Sequence, residues 1–384
     1  MKKIVLGKDA LITGMDAMTY LSSVTYKKAF LVTGGSSMIR NGVIDRCKEL
    51  LSMAGCDTYV YSGINKNPSI QEVEAGVAAM NEYRPDLVLA VGGGSAMDAA
   101  KAMLLFYEFP DINFDNVLAL NKDGKIPTER KTGLICIGST SGTGSEVTRG
   151  TVITDTDKKL KVPIMTDCLR PDIAILDPAV VMTMPANVVA ETGMDALTHA
   201  IEAYTNHNLD DIDAALCVGA IEGIMEWLPV SCERGSEESR EKVHNYQAMA
   251  GIAFANVGLG MVHGIAHSFG AVFDMAHGLT NAIILPYVLK YNSRDGVVLE
   301  KLKKLSYICH TDDIVEAIDC MRERLNIPKS FRDAGITEDE YRREFDLLLD
   351  HSMLGATNVN PVKMDVESMK KMLDVVYYGK EIDF

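Results

Sequence analysis

The sequence predicts two domains of different class, an α/β domain with a parallel sheet over residues 1–182 and an all-α domain over 183–384. Three observations predict this. Short β-rich runs alternate with helical stretches through the first half, the pattern of a parallel sheet covered on both faces. From about residue 187 long helical patterns follow one another and strand runs stop. A chain of 384 residues is also long for a single hydrophobic core.

The expected strands are "AFLVT" (29–33), "DTYVY" (57–61), "DLVLAV" (86–91), "GLICIG" (133–138) and "IAIL" (173–176). Between them, residues 41–55, 69–83 and 95–106 carry apolar residues at helical spacing. The change of character falls near "DPAVVMTMPAN" (177–187), where two prolines punctuate the chain. Beyond it, 186–204, 214–228 and 246–260 read as helices, and "ERGSEESREK" (233–242) as a solvated loop or helix start. "KAFLVT", close to an N-terminal β region, is expected to pair across subunits of a homo-oligomer, a dimer or larger.

Composition narrows the function. Apolar residues make up 47% and charged residues 24%, as in soluble globular domains. The net charge of −15 lacks the basic footprint that a nucleic acid or an anionic membrane requires, so neither is expected as a partner. "MKKIVLGKDALITG" has a short basic start but no sustained apolar run, and no stretch reaches the roughly 18 consecutive apolar residues of a membrane helix. Eight scattered cysteines with no CxxC pair read as reduced and buried, which predicts a cytoplasmic protein.

Three polar turns follow strands of the first half. "AVGGGSAMDAAKA" (90–102) runs from a β segment through three glycines and Ser95 into a helix. Glycine lets backbone approach phosphate oxygens, and the helix start offers free N–H groups; Ser95 is expected to cap that helix. "STSGTGSEVT" (139–148) follows the strand 133–138 and is rich in glycine and hydroxyl residues. Two such turns in one sheet suggest a crevice gripping an extended phosphorylated ligand, a dinucleotide rather than a mononucleotide. The strand 29–33 ends in Gly34, Gly35 and Ser36, and no carboxylate follows before Asp45, which leaves room for a 2′-phosphate.

The helical half carries metal chemistry. Asp195 and His199 are four apart on one helix face, with Glu202 three residues further on. An ordinary hydrogen-bonded pair and half of a divalent-metal site both explain that spacing. "GLGMVHGIAHSFGAVFDMAHGLTNA" (257–281) supplies three imidazoles, His263, His267 and His277, for the two remaining places. Nitrogen and oxygen ligation without thiolate suits Fe²⁺ or Zn²⁺. His207, His244, His310 and His351 lie in polar contexts and read as surface residues.

Taken in order, "VGGGSAMDAAK" (91–101), "TSGTGSEVT" (140–148), "GMDALTHAIEAY" (193–204) and "GMVHGIAHSFG" (260–270) with "HGLTNAIILP" (277–286) resemble the iron-containing (type III) alcohol dehydrogenases. These include lactaldehyde reductases, 1,3-propanediol dehydrogenases and butanol dehydrogenases, and the resemblance spans nearly the whole chain. It implies a dinucleotide-binding α/β domain and an all-α metal-binding domain. It places the metal ligands on Asp195, His199, His263 and His277, with His267 near the active site and not a ligand. The family's pyrophosphate turn matches Gly93, Gly94, Ser95 and Asp98, and its second nucleotide loop matches Thr140 and Thr143. "NPS" (67–69) resembles the family's NPT, implicating Asn67, and Lys161 matches a lysine near the cofactor. Members that prefer NAD carry Asp where this chain has Gly34, so NADP is open alongside NAD. Some relatives carry Asn at Gly150, and Arg149 beside it suggests a substrate with an anionic group or a surface ion pair.

The activity this implies is reversible reduction of a small aldehyde to a primary alcohol. The metal polarises the carbonyl oxygen, the nicotinamide of NAD(P)H gives hydride, and His267 relays a proton. Two other classes compete. A metal-dependent lyase or synthase on the dehydroquinate-synthase-like scaffold needs a cluster of Lys and Arg, absent from 240–290. A non-catalytic nucleotide-binding protein has no use for the Asp/His/His/His set.

Overall fold

Leu87–Gly92 is buried at all six positions, as a continuous apolar run must be when both faces of its sheet are covered. The computed structural model describes residues 6–384, so the basic start at 1–3 lies outside the described residues. The strands are β1 (Ala10–Thr13), β2 (Lys28–Thr33), β3 (Asp57–Tyr61), β4 (Leu87–Gly92), β5 (Gly133–Gly138), β6 (Gly150–Asp155), β7 (Leu160–Met165) and β8 (Ile173–Leu176). Six of them form one parallel sheet in the order β1-β8-β5-β4-β2-β3. Alternate residues feed two apolar layers. Phe30, Val32, Val88, Ala90, Leu134 and Cys136 face one, and Ala29, Leu31, Leu87, Leu89, Ile135 and Ile137 the other.

The order of the strands positions the polar turns. From β2 the chain moves outward to β3, then returns to lay β4 on the other side of β2 and continues to β5. The strand order therefore reverses between β2 and β4, where open α/β sheets form a ligand crevice at the carboxyl ends of their strands. Gly34 follows β2, Gly93 follows β4 and Ser139 follows β5, so all three turns open at that edge. The connecting helices are α1 (Val43–Met53), α2 (Ile70–Tyr83), which Ser69 and Glu72 start with a capping box, and α3 (Gly94–Glu108).

Three expectations need correction here. β2 cannot pair across subunits, because β3 and β4 already occupy both of its edges. Ser95 is not a cap: α3 begins at Gly94 with Gly93 at the N-cap and no side-chain cap bond. β6 and β7, not foreseen as strands, form an antiparallel hairpin, and it docks on the 67–69 turn, Thr154 N donating to Pro68 O at 2.8 Å.

The chain forms two units, the first ending at Met184 and the second running from Pro185 to Phe384. Among the described residues the second unit has helices and no strand. Its central members are α4 (Ala186–Thr205), α5 (Asp211–Glu233), α6 (Glu237–Val257), α7 (Met261–Phe273) and α8 (His277–Asn292). Buried on every face from Gly193 to Thr205 and packed by α5, α6 and α8, α4 is the axis of the unit. By length and composition α5 is apolar enough to cross a membrane; it carries Glu222 and Glu226 and packs between α4 and α6. The stretch 233–242 divides between the end of α5 and the start of α6, which Ser236 caps through Ser239 N at 3.2 Å.

His244, expected at the surface, is buried on α6 with Arg240, Val243 and Gln247. Burial alone pushes its imidazole down to about 4. The unfolded chain takes up a proton near pH 6.5 and the folded chain does not, so stability is complete above that pH and is lost as pH falls toward 4. The loss amounts to about 3 kcal/mol. His244→Gln should flatten this part of the urea-midpoint profile; a variant that tracks the native profile from pH 7 to 4 rules the assignment out.

Candidate functional site

In the second unit, three helices converge on one donor group. Asp195 and His199 project from one face of α4, His263 from the first turn of α7 and His277 from the first residue of α8. One ligand atom from each lies within 4.8 Å of every other. Asp195 Oδ1 stands 3.8 Å from His199 Nε2, 3.7 Å from His263 Nε2 and 3.6 Å from His277 Nε2. Donors on a tetrahedral metal with bonds near 2.1 Å stand about 3.4 Å apart, close to the three distances from Asp195. Gly278 permits this meeting, because a Cβ there would lie 2.3 Å from Glu191 O on α4. His267 lies one turn after His263, outside the donor group and half-buried, its ring stacked on His277 with centroids 5.2 Å apart.

Neighbouring side chains orient the donors. His263 Nδ1–H donates to Glu202 Oε2 at 2.5 Å, which fixes the tautomer and turns the Nε2 lone pair toward Asp195. Glu202 Oε1 also accepts from Val262 N at 2.7 Å. Asn281 Nδ2 donates to Asp195 Oδ1 at 2.6 Å and lies 3.1 and 3.2 Å from Nε2 of His263 and His277. The His199 ring lies between Phe254 and His263, with centroids 4.4 and 4.5 Å away.

The electrostatics fit a cation. Asp195 and Glu202 are two buried carboxylates, a costly arrangement without compensating positive charge. Burial opposes ionisation of Asp195, yet the imidazoles of His199, His277 and His263 hold it well below the usual carboxylate range. Burial likewise opposes a charged His263, and Asp195 and Glu202 overcome it and raise its pKa. The Oδ1 of Asn281, buried and without a hydrogen-bond donor, is a further acceptor beside the group. Glu202→Gln should weaken metal binding by about 10–100-fold. An amide facing both His263 Nδ1–H and Val262 N–H must set a donor against one of them. Metal titration of the stripped variant checks this, and an unchanged dissociation constant would refute it.

In the first unit the turns expected to contact a nucleotide interlock. Thr140 and Thr143 pack against Gly93 and Gly94, where an added Cβ would meet their side chains at 3.2 and 2.8 Å. Gly34 lies beside Gly92, with Gly35 and Ser36 exposed after it. Lys161 Nζ on β7 donates to Asn67 Oδ1 at 2.6 Å and Thr154 Oγ1 at 3.1 Å, joining residues 94 apart in sequence. Burial raises Asp98 to about 7, against the pull of Lys101 and Lys161. Arg149 faces Asp167 Oδ1 at 3.8 Å, so of its two expected roles the structure shows the ion pair. Residues 2–178 match the iron-containing alcohol dehydrogenase model, and 189–377 match the C-terminal model of the same family.

The chain belongs to the iron-containing alcohol dehydrogenase family.

It is 39% identical, over the whole of both chains, to the NADPH-dependent butanol dehydrogenase of Clostridium saccharobutylicum. It is 35% identical to an aldehyde-alcohol dehydrogenase of Streptococcus pneumoniae, matching 95% of this chain and 45% of that longer protein. The iron-containing alcohol dehydrogenase of Thermococcus thioreducens superposes with a TM-score of 0.91 at 31% identity, covering 99% and 100% of the two chains. The chain is thus an oxidoreductase of the alcohol and aldehyde dehydrogenase class. Glu202 shows in the sequence only by its spacing, and Asn281, one helical turn after His277, carries no signal of its own there. Lys101 carries none either, its type being usually solvated.

Proposed function

We propose that this dehydrogenase interconverts a short primary alcohol and its aldehyde with NAD(P)(H), using Fe²⁺ or Zn²⁺ held by Asp195, His199, His263 and His277. The observation that carries this reading is the convergence of those four donors within 4.8 Å of one another around a buried negative charge. The metal supplies a Lewis acid for the carbonyl and the nicotinamide supplies hydride. Glu202 holds His263 in the binding tautomer, Asn281 steers the Asp195 oxygen, and Phe254 packs the His199 ring against solvent. His267, half-buried against His277, takes the part of proton carrier between the substrate oxygen and water.

For the nucleotide, the free amides at the start of α3 (Gly94, Ser95) and the hydroxyls of Thr140 and Thr143 suit a pyrophosphate. Asn67, Asp98 and Lys161 supply polar contacts beside it, and the turn Gly34, Gly35 and Ser36 meets the ribose. The lack of a carboxylate in that turn favours NADP(H), in keeping with the NADPH dependence of the Clostridium relative. The butanol activity of that relative supports a short unbranched substrate. With Arg149 paired to Asp167, no observation favours an anionic one.

The parts divide as an α/β nucleotide domain (1–182) and a helical metal-binding and catalytic domain (183–384). Among the described residues the outer edge of β1 has no strand beside it and offers a homo-oligomer contact, and eight free cysteines suit a reducing cytoplasm. The test is turnover of short aldehydes with NADPH and with NADH, before and after chelation and after restoring Fe²⁺ or Zn²⁺. We expect NADPH to be preferred and activity to follow the metal; full activity in metal-free protein overturns the reading.

A further inference from the structure

Lys101 is fully buried on α3, two helical turns after Gly94. A buried ammonium is costly unless every N–H finds an acceptor. Here Nζ donates to three carbonyls, Ser145 O at 2.6 Å, Thr148 O at 2.9 Å and Gly150 O at 3.0 Å. The hydroxyls of Ser145 and Thr148 stand at 3.1 and 3.4 Å. Three carbonyls need three donors, which an ammonium has and a neutral amine lacks. The segment it gathers turns through Gly144 at φ +59° and has its first amide, Ser145 N, bonded to Thr143 Oγ1 at 3.3 Å. Thr143 in turn packs on Gly94, at the opposite end of the Lys101 grip on the same helix.

We propose that Lys101 is a positioning residue that clamps the 145–150 segment to α3 and so sets Thr140 and Thr143 against the phosphate turn at Gly93 and Gly94. The inference rests on reading those turns as the nucleotide site. One helix then carries both the phosphate turn and the device that registers the second loop against it. Removing the cation takes the ammonium donor from Thr148 O and Gly150 O and leaves Ser145 O only the longer bonds from Thr148 N and Oγ1 at 3.3 and 3.4 Å, so the segment must shift to re-satisfy them. That movement acts on nucleotide affinity, while the metal donors lie on helices of the other unit.

The test compares wild-type enzyme, Lys101→Met, Lys101→Gln and, as a packing control, Leu105→Ala, which removes a buried side chain one turn further along α3 and keeps the ammonium in place. The dissociation constant for NADPH is read by nucleotide fluorescence on metal-loaded enzyme, with KM for the aldehyde, metal content and melting temperature alongside. The expected result is a rise of tenfold or more in the NADPH dissociation constant for Lys101→Met. Lys101→Gln, too short to span three carbonyls, should show a similar rise, with metal content and aldehyde KM unchanged. Leu105→Ala should lower the melting temperature and leave the dissociation constant alone. A native dissociation constant in either soluble Lys101 variant overturns the clamp, as does an equal rise in Leu105→Ala. Failure of wild-type enzyme to bind either nucleotide would remove the nucleotide reading and the clamp together.

Discussion

Replacing His263 with alanine is expected to abolish metal content and activity together. His263 is the donor with most support around it: fully buried, held through Nδ1 by Glu202, and 3.7 Å from Asp195 through Nε2. Its loss removes one of four donors and leaves the Glu202 carboxylate buried without its partner, a penalty that falls on the same site. A Lewis acid contributes several kcal/mol to carbonyl reduction, so turnover should fall by about 10³-fold or more. Elemental analysis of the purified variant, beside its turnover of butanal, decides the matter. Full metal content in His263→Ala would show that the ligand set is wrong.

The second large effect is expected from His267→Ala, and it should separate from the first. The His267 ring stacks on His277 and meets His263 edge-on, with centroids 6.0 Å apart in the second case, and is not one of the four converging donors. The variant should therefore keep its metal. Loss of a proton carrier costs about 10² in turnover, and added imidazole should restore part of it. If the metal disappears with the ring, His267 serves to brace His277 and the proton-carrier role is refuted.

The parts of the molecule governed by local pattern were legible in the sequence. Apolar runs such as 87–92 and 133–138 match the parallel strands because burial on both faces leaves no polar alternation. The same logic shows why pairing of "KAFLVT" across subunits failed: a strand apolar on both faces belongs inside a sheet, not at its edge. The β6–β7 hairpin left a signal that was not read: β6 holds four consecutive β-branched residues, and β7 buries Val162 and Ile164 while exposing Pro163 and Met165, with only Gly150 and Pro163 arguing against strands. His244 sits among polar neighbours in sequence, yet Arg240, Val243 and Gln247 share its helix face and are buried with it. Two of those three are polar, so apolar spacing does not mark that face as buried. Asp195, His199 and the three histidines of 257–281 stood out by residue type and interval, and only the family resemblance chose His263 and His277 among the three. The groups that orient them did not, since Glu202 and Asn281 act through contacts 61 and 86 residues apart along the chain.

Gly278 also bears on how this enzyme can change over generations. Most walls of an active site can be varied one side chain at a time, and substrate range drifts accordingly. Position 278 has no such freedom: its hydrogen faces a backbone carbonyl of α4, and no rotamer of a larger residue avoids it. Any substitution pushes α8 away from α4 and carries His277 with it. Helix spacing and metal geometry are thus tied at one atom. A lineage or a mutant library is free to reshape what the enzyme accepts while this point of contact stays closed to change.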